Sequence, residues 1–186
     1  MGDAPRLPRR LPAPRRDQGA TLVIQNPLRR RKDLHFQRSY PASLDAVWSA
    51  WTDADQLRQW WGPEKTTIDE CEVDLRVGGR LRVVTVATEE MGKYAGTRWP
   101  MEGTFTHVEA PRHLAYDARS WTEGEEESAT IHHTNDLTLT GDGTSTTVTL
   151  HVAITEIGPK AKMAAFGMKW GYKAQLDALE QLLGGA

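Results

Sequence analysis

Hydrophobic and polar residues alternate over residues 33–40 and then change to helical spacing. The alternation predicts a strand, because successive side chains of a strand point to opposite faces. The next apolar residues stand at i, i+3, i+4 and i+7 and are Leu44, Val47, Trp48 and Trp51. This spacing predicts a short helix with one apolar face, for which Ser43 is the N-cap. Asp53 predicts the cap of a second short helix, which Trp60-Trp61-Gly62-Pro63 ends.

Six further segments have the patterns of strands and are separated by turns that contain glycine or proline. They cover residues 66–76, 80–88, 100–109, 113–121, 129–140 and 144–156. In the last of them, apolar residues alternate with polar ones from Thr147 to Ile154, as in a half-buried antiparallel strand. The paired glycines Gly78-Gly79 predict a tight hairpin turn between the segments 66–76 and 80–88.

A long helix is predicted from Gly158-Pro159 to Leu183, where Gly184-Gly185 ends it. At 100° per residue, one apolar set is Met163, Gly167, Trp170, Ala174, Ala178 and Leu182. A second set widens the apolar arc past half of the circle and consists of Met168, Tyr172, Leu179 and Leu183. So broad an arc exceeds the stripe of an ordinary surface helix and suits a helix that a curved sheet surrounds.

Length and charge suggest one domain with an N-terminal extension. Residues 1–31 are rich in proline and arginine and predict a flexible basic tail, while residues 32–186 form the folded domain. The net charge of the whole chain is -2 although the tail is basic, so the domain itself must be acidic. An acidic domain disfavours nucleic acid as a partner. No segment predicts a membrane span or a secretory signal, and the single cysteine cannot form an internal disulfide. We therefore expect a cytoplasmic monomer or homodimer.

Several motifs, in a consistent order, resemble those of the START-like (SRPBCC) superfamily, which includes the birch-pollen allergen. The motifs are Val47-Trp48-x-Ala50-Trp51-Thr52-Asp53, Trp60-Trp61-Gly62-Pro63, Asp74-Leu75-Arg76-Val77-Gly78-Gly79-Arg80, Glu102-Gly103-Thr104 and Ala110-Pro111-Arg112-His113-Leu114. Within the superfamily, residues 33–185 are most similar to the bacterial group related to the activator of heat-shock-protein ATPase. Tyr172 stands where that group usually has tryptophan. The resemblance implies an α+β helix-grip fold, in which a curved antiparallel sheet wraps around the long C-terminal helix and two short helices follow the first strand.

Strong catalytic and metal-binding motifs are absent from the sequence. It has no G-x-S-x-G, no phosphate-binding glycine loop, no H-E-x-x-H and no cysteine pair. The adjacent histidines His132 and His133 point to opposite faces of a strand and cannot easily share one ion. We therefore expect neither a metal site nor a cofactor.

Strand alternation nevertheless predicts which polar residues enter the interior. His133 and Asn135 share a face with Leu137 and Leu139, and Phe105 shares a face with His107. A cavity between sheet and helix would then have mostly apolar walls with a few polar groups, as small-molecule sites do. The predicted lining is Phe105, His107, Tyr116, His133, Asn135, Met163, Met168 and Trp170.

Three functions compete at this point. The first is non-catalytic binding of a small hydrophobic molecule in the cavity. The second is an enzyme of the cyclase or dehydratase kind, with His107 or His133 as general acid or base. It requires two polar groups within hydrogen-bond reach inside the cavity. The third, a protein-interaction module of the co-chaperone kind, requires a contiguous exposed patch.

Overall fold

A seven-stranded antiparallel sheet and three α-helices make up the fold, in a computed structural model that describes residues 32–184. The predicted tail of residues 1–31 lies outside this range. The strands are β1 (Lys32–Tyr40), β2 (Thr66–Val73), β3 (Arg80–Ala87), β4 (Arg98–Glu109), β5 (His113–Ser120), β6 (Ile131–Gly141) and β7 (Thr146–Ile157). The helices are α1 (Leu44–Thr52), α2 (Ala54–Trp60) and α3 (Lys162–Gly184), and a 3₁₀ helix spans Glu89–Tyr94. The strand order is β1-β7-β6-β5-β4-β3-β2.

The two predicted helix caps are confirmed. The Ser43 hydroxyl accepts a hydrogen bond from the backbone N–H of Ala46, at 3.2 Å. One Asp53 carboxylate oxygen accepts from the N–H groups of Asp55 and Gln56, at 2.9 and 3.0 Å. These acceptors satisfy donors that the first turn of a helix leaves unpaired. As a result, α1 and α2 begin at the residues that follow the caps.

Tryptophans join α1 and α2 to one end of the core. Trp51 packs edge-on against Trp60, with ring centroids 4.8 Å apart, and both side chains are buried. The Trp60 indole N–H donates to the carbonyl of Ala50, at 2.9 Å. Edge-to-face pairing adds roughly 1 kcal/mol to the free energy gained by burying the rings. The spacing of these residues is therefore explained by packing.

The C-terminal half of α3 closes the core against the sheet. Leu176 and Leu179 are almost completely buried, and they belong to the same cluster as Leu137 and Leu150 of the sheet. The Tyr40 hydroxyl donates to the carbonyl of Leu176, at 3.1 Å, which links β1 to the helix. Each such leucine contributes about 2 kcal/mol of burial free energy. The expected helix-grip fold, with a curved sheet around α3, is confirmed.

The long helix begins four residues later than the sequence predicted. Residues 158–161 form a turn in which the N–H of Gly158 donates to Thr130 and that of Lys160 donates to Ser128. A Cβ atom on Gly158 would lie 2.5 Å from the carbonyl oxygen of Ser128, so only glycine fits this approach. The turn ties the N-terminus of α3 to the loop between β5 and β6. That loop forms one wall of a cavity beneath α3.

Candidate functional site

A cavity of about 450 Å³ lies between the N-terminal half of α3 and strands β3 to β6. Among residues 32–184, its lining is predominantly apolar and contains no charged side chain. The lining residues are Trp61, Pro63, Thr85, Trp99, Pro100, Met101, Ser120, Trp121, Thr122, Ala129, Ile131, His133, Ala164, Gly167, Met168, Gly171, Tyr172 and Gln175. Its volume lies within the range of small-molecule sites, which runs from about 300 to 1,000 Å³.

Two glycines of α3, Gly167 and Gly171, leave room for this cavity. They stand four residues apart, on the same side of the helix, and both belong to the lining. Within residues 32–184, a Cβ atom added at either position would meet no atom beyond its own stretch of helix within 4 Å. Close packing therefore does not explain these glycines, although each costs a helix interior roughly 1 kcal/mol relative to alanine. Their effect is to keep the helix surface open over the cavity.

A chain of hydrogen bonds crosses the interior and ends at the cavity wall. The Tyr172 hydroxyl donates to the Asn135 side-chain oxygen, at 2.7 Å. The Asn135 amide nitrogen lies 2.9 Å from Nδ1 of His133. An amide nitrogen can only donate, so Nδ1 accepts and the imidazole proton is on Nε2. Nε2 then donates to the Ser120 hydroxyl oxygen, at 3.1 Å. This arrangement leaves the Ser120 hydroxyl proton available to a ligand.

Burial keeps the side chains of this hydrogen-bond network uncharged. Burial lowers the pKa of His133 from 6.5 to about 4. The imidazole is therefore neutral at pH 7. Burial also raises the pKa of the Tyr172 hydroxyl well above its usual range. The site thus offers neutral hydrogen-bonding groups within apolar walls, a combination that favours an uncharged ligand.

A second depression, of about 470 Å³, lies on the outer face of the sheet, where Arg80, Glu102 and Arg119 line it. The Glu102 carboxylate accepts hydrogen bonds from Arg80, at 2.7 Å, and from Arg119, at 3.0 Å. The Glu102 carboxylate and the two guanidinium groups thus pair with one another across neighbouring strands. The inner cavity is therefore the stronger candidate for a ligand site.

Comparison with known proteins places the chain in a family. The family described as activator of Hsp90 ATPase homolog 1-like protein matches residues 41–184, most of the chain. The chain belongs to this family. Among curated proteins, none matches the sequence significantly.

Solved structures share the fold of this family member. A crystal structure of a protein from Nitrosomonas europaea is 24% identical, with a TM-score of 0.64, and the match covers 82% of this chain and 94% of that one. A solution structure from Arthrobacter aurescens is also 24% identical, with a TM-score of 0.64 and coverage of 83% and 87%. A protein from Rhizobium leguminosarum is 19% identical, with a TM-score of 0.65 and coverage of 84% and 96%. At these identities, the similarity shows the fold alone.

The eight predicted site residues of this family member fall into three groups. His133 and Met168 line the cavity. Phe105, Tyr116 and Asn135 are buried in the layer beneath it, with the rings of Phe105 and Tyr116 edge-on at 6.0 Å. The remaining three side chains, His107, Met163 and Trp170, are exposed.

The exposed histidine results from an irregularity in β4. The register of β4 with β5 shifts between Phe105, which pairs with Tyr116, and His107, which pairs with Ala115. The extra residue interrupts the alternation of side chains, so His107 lies on the outer face rather than in the cavity. Its side chain is 46% exposed. The expectation that His107 shares an inward face with Phe105 is therefore corrected.

Met163 and Trp170 lie on the solvent side of α3, with exposed fractions of 80% and 58%. The helix turns a different stripe toward the sheet, which begins at Ala165 and includes Tyr172, Leu176 and Leu179. Of the second apolar set of the sequence, Tyr172 and Leu179 are buried, and Met168 and Leu183 are partly buried against the core. The first half of α3 is apolar on several sides, so its own sequence does not indicate which side is buried. The buried side follows from the leucines of the second half, which pack against the sheet. Met163 and Trp170 are thus not cavity residues.

Ser120 and the tryptophans Trp99 and Trp121 also line the cavity, although none of them was predicted from the sequence. Alternation along β5 could have identified Ser120, because it has the same parity as Leu114 and Tyr116, which are buried. Alternation along β4 likewise gives Trp99 the parity of Met101.

Within residues 32–184, none of the helices has the length and hydrophobicity needed to cross a bilayer.

Proposed function

We propose that this protein binds an uncharged, mostly apolar small molecule in the cavity beneath α3, without changing it chemically. The observation that carries the proposal is a cavity of about 450 Å³ in which the described part of the chain offers, as polar contacts, only neutral hydrogen-bonding groups. Burial of about 300 Å² of apolar ligand surface would contribute roughly 7 kcal/mol before the entropic costs of association. Micromolar affinity therefore also requires a polar anchor, for which Ser120 is the candidate.

The ligand fitting this arrangement carries one hydrogen-bond acceptor, such as a carbonyl or ether oxygen, at one end of an apolar body. The acceptor would meet the Ser120 hydroxyl proton, which the hydrogen bond from His133 leaves available. A carboxylate or ammonium group would find no opposite charge among the described lining residues, and its desolvation would be costly. This disfavours charged ligands.

The uncharged fluorophore N-phenyl-1-naphthylamine provides a direct test, because its emission increases in apolar surroundings. We expect saturable binding that is weaker than for a ligand with a carbonyl or ether oxygen, and competition by uncharged lipids or aromatic ketones would identify the preferred ligand class. Gly171→Leu places a side chain in the cavity and should weaken binding at least tenfold. Lys169→Leu is the matched control, since it adds leucine to an exposed position of the same helix. Equal binding by both variants, or none by the wild type, would rule out the cavity as the site.

An enzymatic role is a second candidate, because two polar groups do meet inside the cavity. The Ser120 hydroxyl and the His133 imidazole are 3.1 Å apart, which meets the requirement stated for an enzyme of the cyclase or dehydratase kind. The direction of the hydrogen bonds is less favourable, since Nε2 donates and so cannot accept the serine proton. Mass spectrometry of a bound ligand after incubation separates the candidates. Conversion that is lost in His133→Gln while binding persists would support catalysis.

A further inference from the structure

Three side chains with metal-binding atoms converge on the outer face of the sheet, at the corner between β4 and β5. They are His107 and Glu109 near the end of β4 and His113 at the start of β5. One ligand atom from each lies within 4.8 Å of those of the other two. Glu109 and His113 are paired across the strands, and the register shift after Phe105 brings His107 to the same face. The feature that removes His107 from the cavity thus creates this cluster.

We propose that His107, Glu109 and His113 form a binding site for a divalent transition-metal ion, with Zn²⁺ as the best match. Two imidazoles and one carboxylate are a donor set that zinc uses in proteins. In tetrahedral zinc sites, ligand atoms lie roughly 3.3 Å apart, given metal–ligand distances of about 2.0 Å. His107 and Glu109 are 46% and 64% exposed, so both side chains can rotate over the remaining distance. A fourth position stays open to water.

The orientation of His113 supports the assignment independently. Oδ2 of Asp136, on the neighbouring strand β6, lies 3.1 Å from Nε2 of His113. A carboxylate on one imidazole nitrogen fixes the ring and leaves the other nitrogen to the metal, an arrangement common in zinc sites. The ring centroids of His107 and His113 are 4.2 Å apart, so both imidazoles already face the same space. The cluster therefore has three donors and an outer partner that orients one of them.

A second exposed histidine pair provides a natural control. The rings of His35 and His151 stack at 4.4 Å, and Asp33 lies 3.6 Å from His151. Among the described residues, only the His107 cluster brings three ligand atoms together within 4.8 Å. The two histidine pairs thus have the same residue types and similar exposure. They differ in whether a third ligand atom lies close to both imidazoles. Zinc binding should depend on the first and not on the second.

Calorimetric titration with ZnCl₂ tests the assignment, on full-length protein without a histidine tag and after treatment with a chelator. We expect one equivalent of zinc with micromolar affinity. His107→Ala and His113→Ala should each weaken binding at least tenfold, Asp136→Asn should weaken it about tenfold, and His151→Ala should leave it unchanged. Visible spectra with Co²⁺ should show a tetrahedral complex that His113→Ala abolishes. Urea unfolding of the metal-free variants verifies that each folds.

Two results would overturn the assignment. One is the absence of stoichiometric zinc binding by the wild type. The other is binding that survives His107→Ala and His113→Ala but is lost in His151→Ala. Because His107 does not line the cavity, His107→Ala should bind N-phenyl-1-naphthylamine as the wild type does. Failure of the metal assignment is thereby separable from failure of the proposed ligand site.

Discussion

His133 should make the stability of the protein depend on pH between about 6.5 and 4. Burial lowers its pKa from 6.5 to about 4 in the folded state, while the unfolded chain has the ordinary value. Between these values the unfolded state binds more protons, so the free energy of unfolding decreases as the pH falls. Above about 6.5 the contribution is fully present. Each pH unit is worth about 1.4 kcal/mol, so the total loss by pH 4 is about 3 kcal/mol.

Urea unfolding of the wild type and of His133→Gln, at intervals from pH 7.5 to 4, measures this contribution. Glutamine can donate and accept hydrogen bonds but does not titrate in this range. Other groups with perturbed pKa values, such as Glu70 and Asp177, are present in both proteins and cancel in the difference. The difference in unfolding free energy should therefore change by about 3 kcal/mol over the window, whatever the constant cost of the substitution.

His132→Gln gives the background for this experiment, because His132 lies next to His133 on β6 but is exposed. The pH dependence of its unfolding free energy shows how much an exposed imidazole on that strand contributes to stability. If the difference between wild type and His133→Gln stays constant within about 0.5 kcal/mol from pH 6.5 to 4, the imidazole is not held neutral by burial. The inference of an uncharged site around it would then fail.

Three further substitutions can be measured by urea unfolding at pH 7. Tyr172→Phe removes the donor to Asn135 and should cost 1 to 3 kcal/mol, roughly, while a cost near zero would show that the hydrogen bond is not formed. Tyr116→Phe removes a buried hydroxyl that has no hydrogen-bond partner among the described residues, so it should be neutral or stabilising by up to about 1 kcal/mol. Leu179→Ala opens a void in the core and should cost about 2 to 5 kcal/mol, and a smaller loss would indicate that α3 packs loosely.

Local patterns in the sequence were sufficient for most of the fold. Ser43 and Asp53 cap α1 and α2 as predicted, because a cap needs only one side chain and the N–H groups two or three residues ahead. The strands follow from alternation and most turns from glycine and proline. The connection between β2 and β3 is an exception, because it spans residues 74–79 rather than the tight turn predicted at Gly78-Gly79. The start of α3 was missed because residues 158–161 bond to the loop at Ser128 and Thr130. Contacts between distant segments leave no periodic trace in the sequence.

The site was harder to predict than the fold, for a reason that His107 illustrates. Alternation places side chains correctly only while the strand stays in register, and a single extra residue reverses every position beyond it. Nothing in the local sequence around Thr106 indicates that shift. Trp170 illustrates a different failure, since its helix is apolar on several sides and its buried face depends on distant leucines. The sequence placed His133 correctly because burial alternates regularly along β6 from Ile131 to Leu139. Met168 followed from the breadth of the apolar arc of α3 rather than from a regular stripe.

The two halves of α3 separate stability from binding along a single helix. Leu176 and Leu179, in the C-terminal half, fill the core completely and supply burial free energy. Gly167 and Gly171, in the N-terminal half, supply none, and they lower the helix propensity of the segment above the cavity. Substitutions at Gly167 and Gly171 should therefore change ligand affinity with little loss of stability, whereas Leu179→Ala should do the opposite. A cavity that existed only through poor packing would not show this division, because filling it would stabilise the protein without altering any binding.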